Sequence, residues 1–97
     1  MNAEYELVTL TRADILEEAR NQLIDQIKKM IEAEKGEILS VSAWGERELA
    51  YQIKKNTSGF YTIFTFRANS KTPRLLNSKI NLMEELLRHL IVRKEEG

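Results

Sequence analysis

Residues 60–67 read F-Y-T-I-F-T-F-R, a run of aromatic and β-branched side chains that is typical of a β-strand. Successive side chains of a strand point to opposite faces, so this run divides into two sets. The set with the phenylalanines is the more apolar, and we predict that it faces the core: Phe60, Thr62, Phe64 and Phe66. The other set is predicted to face away from the core and consists of Tyr61, Ile63, Thr65 and Arg67.

An antiparallel hairpin is predicted from the residues upstream of this strand. Glu37–Ile53 is rich in strand-forming residues and predicts a long second strand, which Gly45 interrupts as at a bulge or bend. Residues 54–59, K-K-N-T-S-G, have the composition of a turn. We therefore expect the two strands to pair as a hairpin.

A long amphipathic helix is predicted before the hairpin, over residues 12–35. Thr11–Asp14 resembles a capping box at its start, and Gly36 is placed to end it. Apolar residues recur there at steps of three and four, which predicts that they share one face of the helix. They are Ile15, Leu16, Ala19, Leu23, Ile27, Met30 and Ile31.

Two more strands and a second helix complete the pattern. Tyr5–Leu10 predicts a first strand, and Leu86–Arg93 predicts a last one. Thr72 followed by Pro73 predicts the start of the second helix, because a hydroxyl cap followed by proline is a common helix start. The apolar side of this helix is predicted to consist of Leu75, Leu76, Ile80 and Met83.

The order strand, helix, strand, strand, helix, strand predicts an α+β fold, the ferredoxin-like β-α-β-β-α-β sandwich. Each helix has one apolar stripe, so we expect both on one face of a four-stranded antiparallel sheet. We predict a single domain over residues 1–97, in which residues 94–97 form a short charged tail. In the last strand, Leu90 and Val92 are predicted to face the core. This leaves an uncovered face that carries, with Tyr61 and Arg67, the residues Leu87, His89, Ile91 and Arg93.

Composition and charge exclude several classes of protein. The chain has 97 residues, with 15 basic and 15 acidic side chains, no cysteine and one histidine. Without cysteine there are no disulfides and no thiolate zinc sites, and a net charge of zero argues against a lone binder of bulk nucleic acid. No apolar run approaches the ~20 residues of a membrane helix, and the first residues do not resemble a signal peptide. We therefore predict no association with a membrane.

No enzyme chemistry is predicted either. His89 lies among cations, and the adjacent acids of Glu84–Glu85 and Glu95–Glu96 are expected to be solvated. The glycines are scattered, so there is no Gly-rich phosphate loop. Acylphosphatases share this architecture, but their phosphate loop needs glycine where this chain has Thr9–Ala13. We predict no cofactor, no metal and no small-molecule substrate.

An RNA-recognition motif has the same order of elements and stays open as an alternative. Its third strand carries a basic residue, a glycine and alternating aromatics, and here Gly59 and Phe60 match. Ser58 stands in the basic position and Thr62 in the position of the second stacking ring. A stand-alone RNA-recognition-type or regulatory binding module of the same fold is therefore the second hypothesis.

Three stretches together resemble the bacterial small-subunit ribosomal protein S6 family. They are Tyr5-Glu6, residues 44–53 (W-G-E-R-E-L-A-Y-Q-I) followed by Gly59-Phe60-Tyr61, and residues 87–94 (L-R-H-L-I-V-R-K). The chain departs from the family pattern at Glu48, where a second basic residue is usual. It departs again at Thr11-Arg12, where an Asn-Pro-like turn is usual.

The resemblance implies a structural role in the small subunit of the cytoplasmic ribosome. Members of the family pair with the S18 protein and bind the central domain of the small-subunit ribosomal RNA during assembly of the platform. Both are therefore expected partners. We assign RNA contacts to Arg47, Tyr51, Lys54, Arg88 and His89, and an apolar edge for the protein partner to Trp44, Leu49 and Ile53.

Overall fold

The computed structural model of the protein describes residues 2–94. The predicted Glu95–Glu96 pair and most of the predicted tail lie outside the described residues. The elements confirm the predicted β-α-β-β-α-β order. They are β1 (Asn2–Arg12), α1 (Glu17–Ala33), β2 (Glu37–Ile53), β3 (Asn56–Asn69), α2 (Thr72–Ile80) and β4 (Leu86–Arg93).

The four strands form one antiparallel sheet in the order β2-β3-β1-β4, so β2 and β4 are its outer strands. Both helices pack on the same face, as predicted, and the opposite face of the sheet carries no helix. We call the first the helix face and the second the open face. The core lies between the helices and the sheet and includes Leu7, Leu23, Ile27, Ile31, Phe64, Phe66, Leu76 and Ile80.

The predicted core face of β3 is confirmed. Phe64 and Phe66 are fully buried, and Thr62 is buried on the same side of the strand. Tyr5 stacks on Phe66, with 5.6 Å between the ring centroids. Each fully buried phenylalanine stabilises the fold by roughly 1.5–3 kcal/mol through removal of its apolar surface from water.

The predicted start of α1 is wrong, because the strand before it is longer than expected. Thr11 stays in β1, where its hydroxyl donates a hydrogen bond to the Phe60 carbonyl of β3 (3.3 Å). It therefore caps no helix. Arg12 pairs with Asp14 in the loop that follows, and α1 begins only at Glu17. Leu16 precedes that start and is 77% exposed, so it is not part of the buried stripe.

α1 ends at Ala33, two residues before the predicted end, and the left-handed residue that terminates it is Lys35 rather than Gly36. Lys35 has a φ of 69°, and its N–H donates to the Glu32 carbonyl (3.0 Å). The N–H of Gly36 donates to the Ile31 carbonyl (2.9 Å), which completes a Schellman motif. Glycine is needed at 36 for space, because a Cβ there would lie 2.6 Å from Cγ2 of Ile31.

Thr72 joins the two helices rather than capping α2. It is the first residue of α2, it is buried, and its hydroxyl donates to the carbonyl of Glu34 at the end of α1 (2.9 Å). Lys79 of α2 forms an ion pair with the Glu34 carboxylate. Of the predicted apolar side of α2, Leu76 is buried whereas Leu75 is exposed. No helix in residues 2–94 is long and apolar enough to cross a membrane.

The predicted faces of β4 are wrong. Ile91 pairs with Leu7 and packs against the core, whereas Leu90 is 59% exposed. By the same alternation Val92 lies on the open face with Leu90, while His89 and Arg93 lie on the helix face. The run L-L-R-H-L-I-V-R has apolar residues in both phases, so its own alternation does not identify the core side. The pairing of β4 with β1 determines which side chains of β4 face the core.

Candidate functional site

The outer strand β2 departs from regular pairing with β3 at three places. Two shifts leave Leu39 and Trp44 without a Cα partner. At the third, Glu48 pairs with Ser58 and Ile53 with Asn56, so four residues of β2 face one residue of β3. Gly45 at the second shift has a φ of 85°, which confirms the predicted bulge. Bulges bend and twist a strand, and we call the strongly bent end of this hairpin, residues 48–58, the hairpin arm.

The turn of the hairpin arm is shorter than predicted. Only Lys54 and Lys55 form it, with φ values of 49° and 69°, and β3 begins at Asn56. The Asn56 side-chain amide donates to the carbonyls of Ile53 (3.2 Å) and Lys54 (3.0 Å) and so holds the turn. Two positive φ values are what a two-residue hairpin turn requires. The predicted site residue Lys54 is therefore exposed at the tip of the arm.

Two of the predicted RNA-binding residues meet on the open face. Arg88 of β4 donates a hydrogen bond from Nη1 to the Tyr51 hydroxyl of the hairpin arm (2.9 Å). The guanidinium carbon lies 5.6 Å from the centroid of the Tyr51 ring. The hydrogen bond to Tyr51 raises the pKa of Arg88 above its usual value. Both side chains are exposed, and Tyr51 is 61% exposed.

Arg47 lies near the base of the hairpin arm, opposite Gly59 of β3. It is exposed, and its Nη1 donates to the Glu46 carbonyl (3.1 Å). Gly59 allows β1 and β3 to approach closely at this point, because a Cβ there would lie 2.4 Å from Cδ1 of Leu10.

The basic residues differ in whether they form an ion pair with a carboxylate. Arg12 forms an ion pair with Asp14 (3.0 Å), and this contact lowers the pKa of Asp14. Arg67 pairs with Glu4 (3.4 Å) and, more loosely, with Glu37 (3.8 Å). In contrast, the described residues offer no carboxylate partner to three predicted RNA-binding cations, Arg47, Lys54 and Arg88. Their charge is therefore available to a ligand.

His89 is adjacent to Arg88 in sequence but lies on the helix face. Its Nε2 is 2.7 Å from Oδ1 of Asn77 in α2. Partial burial beside α2 lowers the pKa of His89. The structure therefore does not bring His89 together with Arg88. RNA binding by His89 stays a prediction, and it would occur on the helix face, away from Arg88 and Tyr51.

The predicted partner-binding residues lie along β2. Trp44 is 54% exposed at its bulge, whereas Leu49 and Ile53 are half-buried. The sequence-based search missed Leu90 and Val92, which are exposed and apolar on the open face. The alternation of β4 groups Leu90 and Val92 with Arg88, but it does not show that this group faces outward, because the other phase is also apolar.

The stacking ring of the alternative hypothesis is not on the open face. Phe60 is half-buried on the helix face, where the Arg20 guanidinium carbon lies 3.8 Å from the centroid of its ring. The tyrosine that follows, Tyr61, is the β3 aromatic residue that faces outward. In the part of the chain that the structure describes, no three His, Asp or Glu side chains are grouped as metal ligands would be.

Comparison with known proteins identifies relatives of the chain over nearly its full length. The family model described as "Ribosomal protein S6" matches residues 4–93. The small ribosomal subunit protein bS6 of Alkaliphilus oremlandii is 41% identical over 93 residues, which cover 96% of this chain and 98% of that protein. The corresponding protein of Alkaliphilus metalliredigens is 37% identical over 93 residues, with 96% and 98% covered. The crystal structure of 30S ribosomal protein S6 from Thermotoga maritima superposes with a TM-score of 0.91 at 32% identity, covering 97% of this chain and 89% of that one.

Proposed function

The chain belongs to the ribosomal protein S6 family, and we propose that it binds the central domain of the small-subunit ribosomal RNA together with the S18 protein. As a small-subunit protein it is a structural constituent of the ribosome. We place it on the platform of the cytoplasmic ribosome, in a role that is structural and not catalytic. The observation that carries the proposal is a family match over residues 4–93 in a chain whose exposed Arg47 and Arg88 have no carboxylate partner among the described residues.

RNA contacts are proposed for the hairpin arm and the adjacent part of β4. Arg47, Lys54 and Arg88 supply exposed cations, and Tyr51 supplies a ring and a hydroxyl beside Arg88. Arginine binds phosphate through a planar fork of N–H groups, and folded RNA presents phosphates more readily than base edges. We therefore propose that these residues bind mainly the RNA backbone. His89 would touch RNA only at the sheet edge beside α2.

The neutral net charge supports cooperative rather than independent binding. Each phosphate contact contributes about 0.7–0.9 to the slope of log affinity against log salt. With few such contacts and 15 acidic side chains against 15 basic ones, the isolated chain is expected to bind RNA weakly. A basic partner that binds beside it would supply the missing attraction.

The partner surface is proposed on the outer strand β2. Trp44 is the largest exposed side chain there, and Leu49 and Ile53 follow it within the hairpin arm. A tryptophan with a free apolar face is a frequent anchor of protein interfaces. We propose that S18 covers Trp44 and the half-buried side chains of Leu49 and Ile53.

The stand-alone RNA-binding module has less support. Its stacking would use Phe60, which lies on the helix face against Arg20. Tight, partner-independent binding also fits poorly with a net charge of zero.

The test is the affinity for a central-domain RNA fragment, measured at moderate salt with the isolated chain and again with S18 present. We expect weak binding alone and at least tenfold tighter binding with S18. Replacing Arg47 and Arg88 together by alanine is expected to weaken the ternary complex by at least about 100-fold, since each charge-assisted contact contributes about 1.5–3 kcal/mol. The melting temperature of the free protein should not change.

The matched control removes two exposed cations from the helices, with Lys29→Ala and Arg74→Ala. This control should retain the affinity of the parent protein. Tight binding by the isolated chain would contradict the proposal and favour the stand-alone module. Equal losses in the two double variants would show that the contacts are not located at the hairpin arm and β4.

A further inference from the structure

We propose that Tyr51 is a positioning residue, which orients the Arg88 guanidinium towards an RNA phosphate without neutralising it. The inference rests on the proposed function and assigns distinct roles to the two residues. Tyr51 lies on β2 and Arg88 on β4, which are the two outer strands of the sheet. Neighbouring strands lie about 4.8 Å apart, so the two backbones are separated by about 14 Å in a flat sheet.

The hairpin arm closes this distance. Tyr51 belongs to the four residues, 49–52, that face a single residue of β3. An irregularity of this size bends the strand, and the bend carries Tyr51 over the open face. Arg88 pairs with Leu10, which in turn pairs with Tyr61, so its side chain rises on the same face. The 2.9 Å hydrogen bond therefore joins two edges of the sheet across its open face.

The chemistry of the acceptor distinguishes Arg88 from other arginines of the chain. Arg12 and Arg67 donate to carboxylates, which hold them and cancel their charge. Arg88 donates to a neutral phenol hydroxyl, so it is held at one nitrogen and keeps its full charge. A guanidinium has five N–H donors, and this contact uses one of them. The remaining donors can form a two-point contact with a phosphate.

Orientation before binding has a thermodynamic consequence. A long side chain that is already held in place loses less conformational freedom when its ligand arrives. Arg88 then makes the charged contact with RNA, and Tyr51 determines the direction from which that contact forms.

The decisive variant is Tyr51→Phe, which keeps the ring and removes the hydroxyl. In the ternary complex with central-domain RNA and S18 we expect a loss of affinity of about three- to tenfold, the range for one hydrogen bond. The slope of log affinity against log salt should stay unchanged, because no charge is removed. Tyr61→Phe is the matched control, since Tyr61 lies on the same face and makes no described hydrogen bond. It should have no effect.

A double-mutant cycle separates positioning from direct contact. In an Arg88→Ala background, Tyr51→Phe should cause no further loss of affinity. Arg88→Lys keeps the charge but not the fork, and it should reproduce most of the loss seen with Arg88→Ala. A full additional loss from Tyr51→Phe in the Arg88→Ala background would overturn the inference, because Tyr51 would then act on RNA by itself.

Different results would contradict the positioning role of Tyr51 and the RNA-binding surface itself. If Arg88→Ala weakens binding and Tyr51→Phe does not, Arg88 binds RNA without help from Tyr51 and only the positioning role is wrong. If neither Arg88→Ala nor Arg47→Ala changes the affinity, the RNA surface proposed above is wrong as well. A fall in melting temperature for Tyr51→Phe with unchanged affinity would show that the contact serves only to hold the hairpin arm, which also overturns the inference.

Discussion

Cationic side chains at the two ends of the sheet have different kinds of partner. At the end where β1 begins and β4 finishes, Glu4 lies 3.4 Å from Arg67 and 3.9 Å from Lys94, so both cations share one carboxylate. At the other end, where the hairpin arm lies, Arg88 is held by Tyr51 and Arg47 by a backbone carbonyl. Arg67 and Lys94 thus have a carboxylate partner, whereas Arg88 and Arg47 have none among the described residues.

This difference shows that a chain with zero net charge can still expose cations that have no ion-pair partner. The sum over 15 acidic and 15 basic side chains describes only the distant field of the protein. A phosphate in contact with the surface responds to the few charges within a Debye length, which is about 8 Å at physiological salt. For the RNA binding proposed above, we therefore expect the position of the carboxylates to matter more than their number.

The largest effect of a single substitution is expected when Arg88 is given a carboxylate partner. Tyr51→Glu would replace the hydrogen bond between Arg88 and the Tyr51 hydroxyl by an ion pair of the kind seen at Arg67. We expect an affinity loss of about 30- to 100-fold in the ternary complex, from the neutralised arginine and the added repulsion of phosphate. Filter binding or calorimetry with S18 present would measure it. Tyr51→Gln is the neutral control, and an equal loss for Gln and Glu would show that charge is not the reason.

A second prediction concerns the close backbone packing at the end that carries the hairpin arm. Gly59→Ala places a Cβ 3.0 Å from the Thr11 carbonyl oxygen as well as against the Leu10 side chain. We expect a loss of about 1–3 kcal/mol in the free energy of unfolding, the usual cost of overpacking. Urea titration measures this loss, with Ser58→Ala as the neighbouring control. Unchanged stability would mean that β1 and β3 separate easily here.

A third prediction concerns the carboxylate at the other end of the sheet. Glu4→Gln removes the carboxylate that Arg67 and Lys94 share. The three side chains are partly exposed, so the free energy of unfolding should fall by less than about 1 kcal/mol. RNA affinity in the ternary complex should stay within about twofold, because this end is not part of the proposed surface. A large gain in affinity would show that Glu4 prevents RNA from binding there.

The smallest expected effect is the pH dependence from His89. Burial beside α2 lowers its pKa in the folded state below the ordinary value of 6.5. The unfolded chain then binds more protons, so this contribution to stability is present above pH 6.5 and decreases as the pH falls towards the folded pKa. NMR titration should give a pKa below 6.5, and His89→Gln should remove this part of the pH dependence. A pKa above 6.5 would contradict the assignment.

The fold could be predicted because its signals are local and agree with one another. The bounds of β2 and β4 were predicted to the residue, and β3 was found with its core face, since three phenylalanines share one phase of that strand. Helix starts were less predictable. Thr11 and Thr72 have the side chain of a helix cap, but their hydroxyls donate instead to carbonyls of β3 and of the end of α1.

The candidate site could be predicted as a set of residues but not as an arrangement. Tyr51 and Arg88 were both assigned to RNA, yet their contact depends on how far the hairpin arm bends, and no periodicity encodes that. His89 was placed on the wrong face because β4 is apolar in both phases. Such choices are made by neighbouring strands, and a sequence pattern read one strand at a time does not contain them.

The irregular pairing of β2 also bears on how the free protein avoids aggregation. An outer strand that exposes Leu39, Val41 and Trp44 could recruit the strand of another molecule along its unpaired edge. Between the shifts, however, the regular stretches Ser40–Ala43 and Gly45–Glu48 are only four residues long. Ordered stacking of strands typically needs six or seven residues in sequence. The bulges therefore leave no regularly paired stretch of β2 long enough for such stacking, and we expect them to protect the free protein against edge-to-edge aggregation.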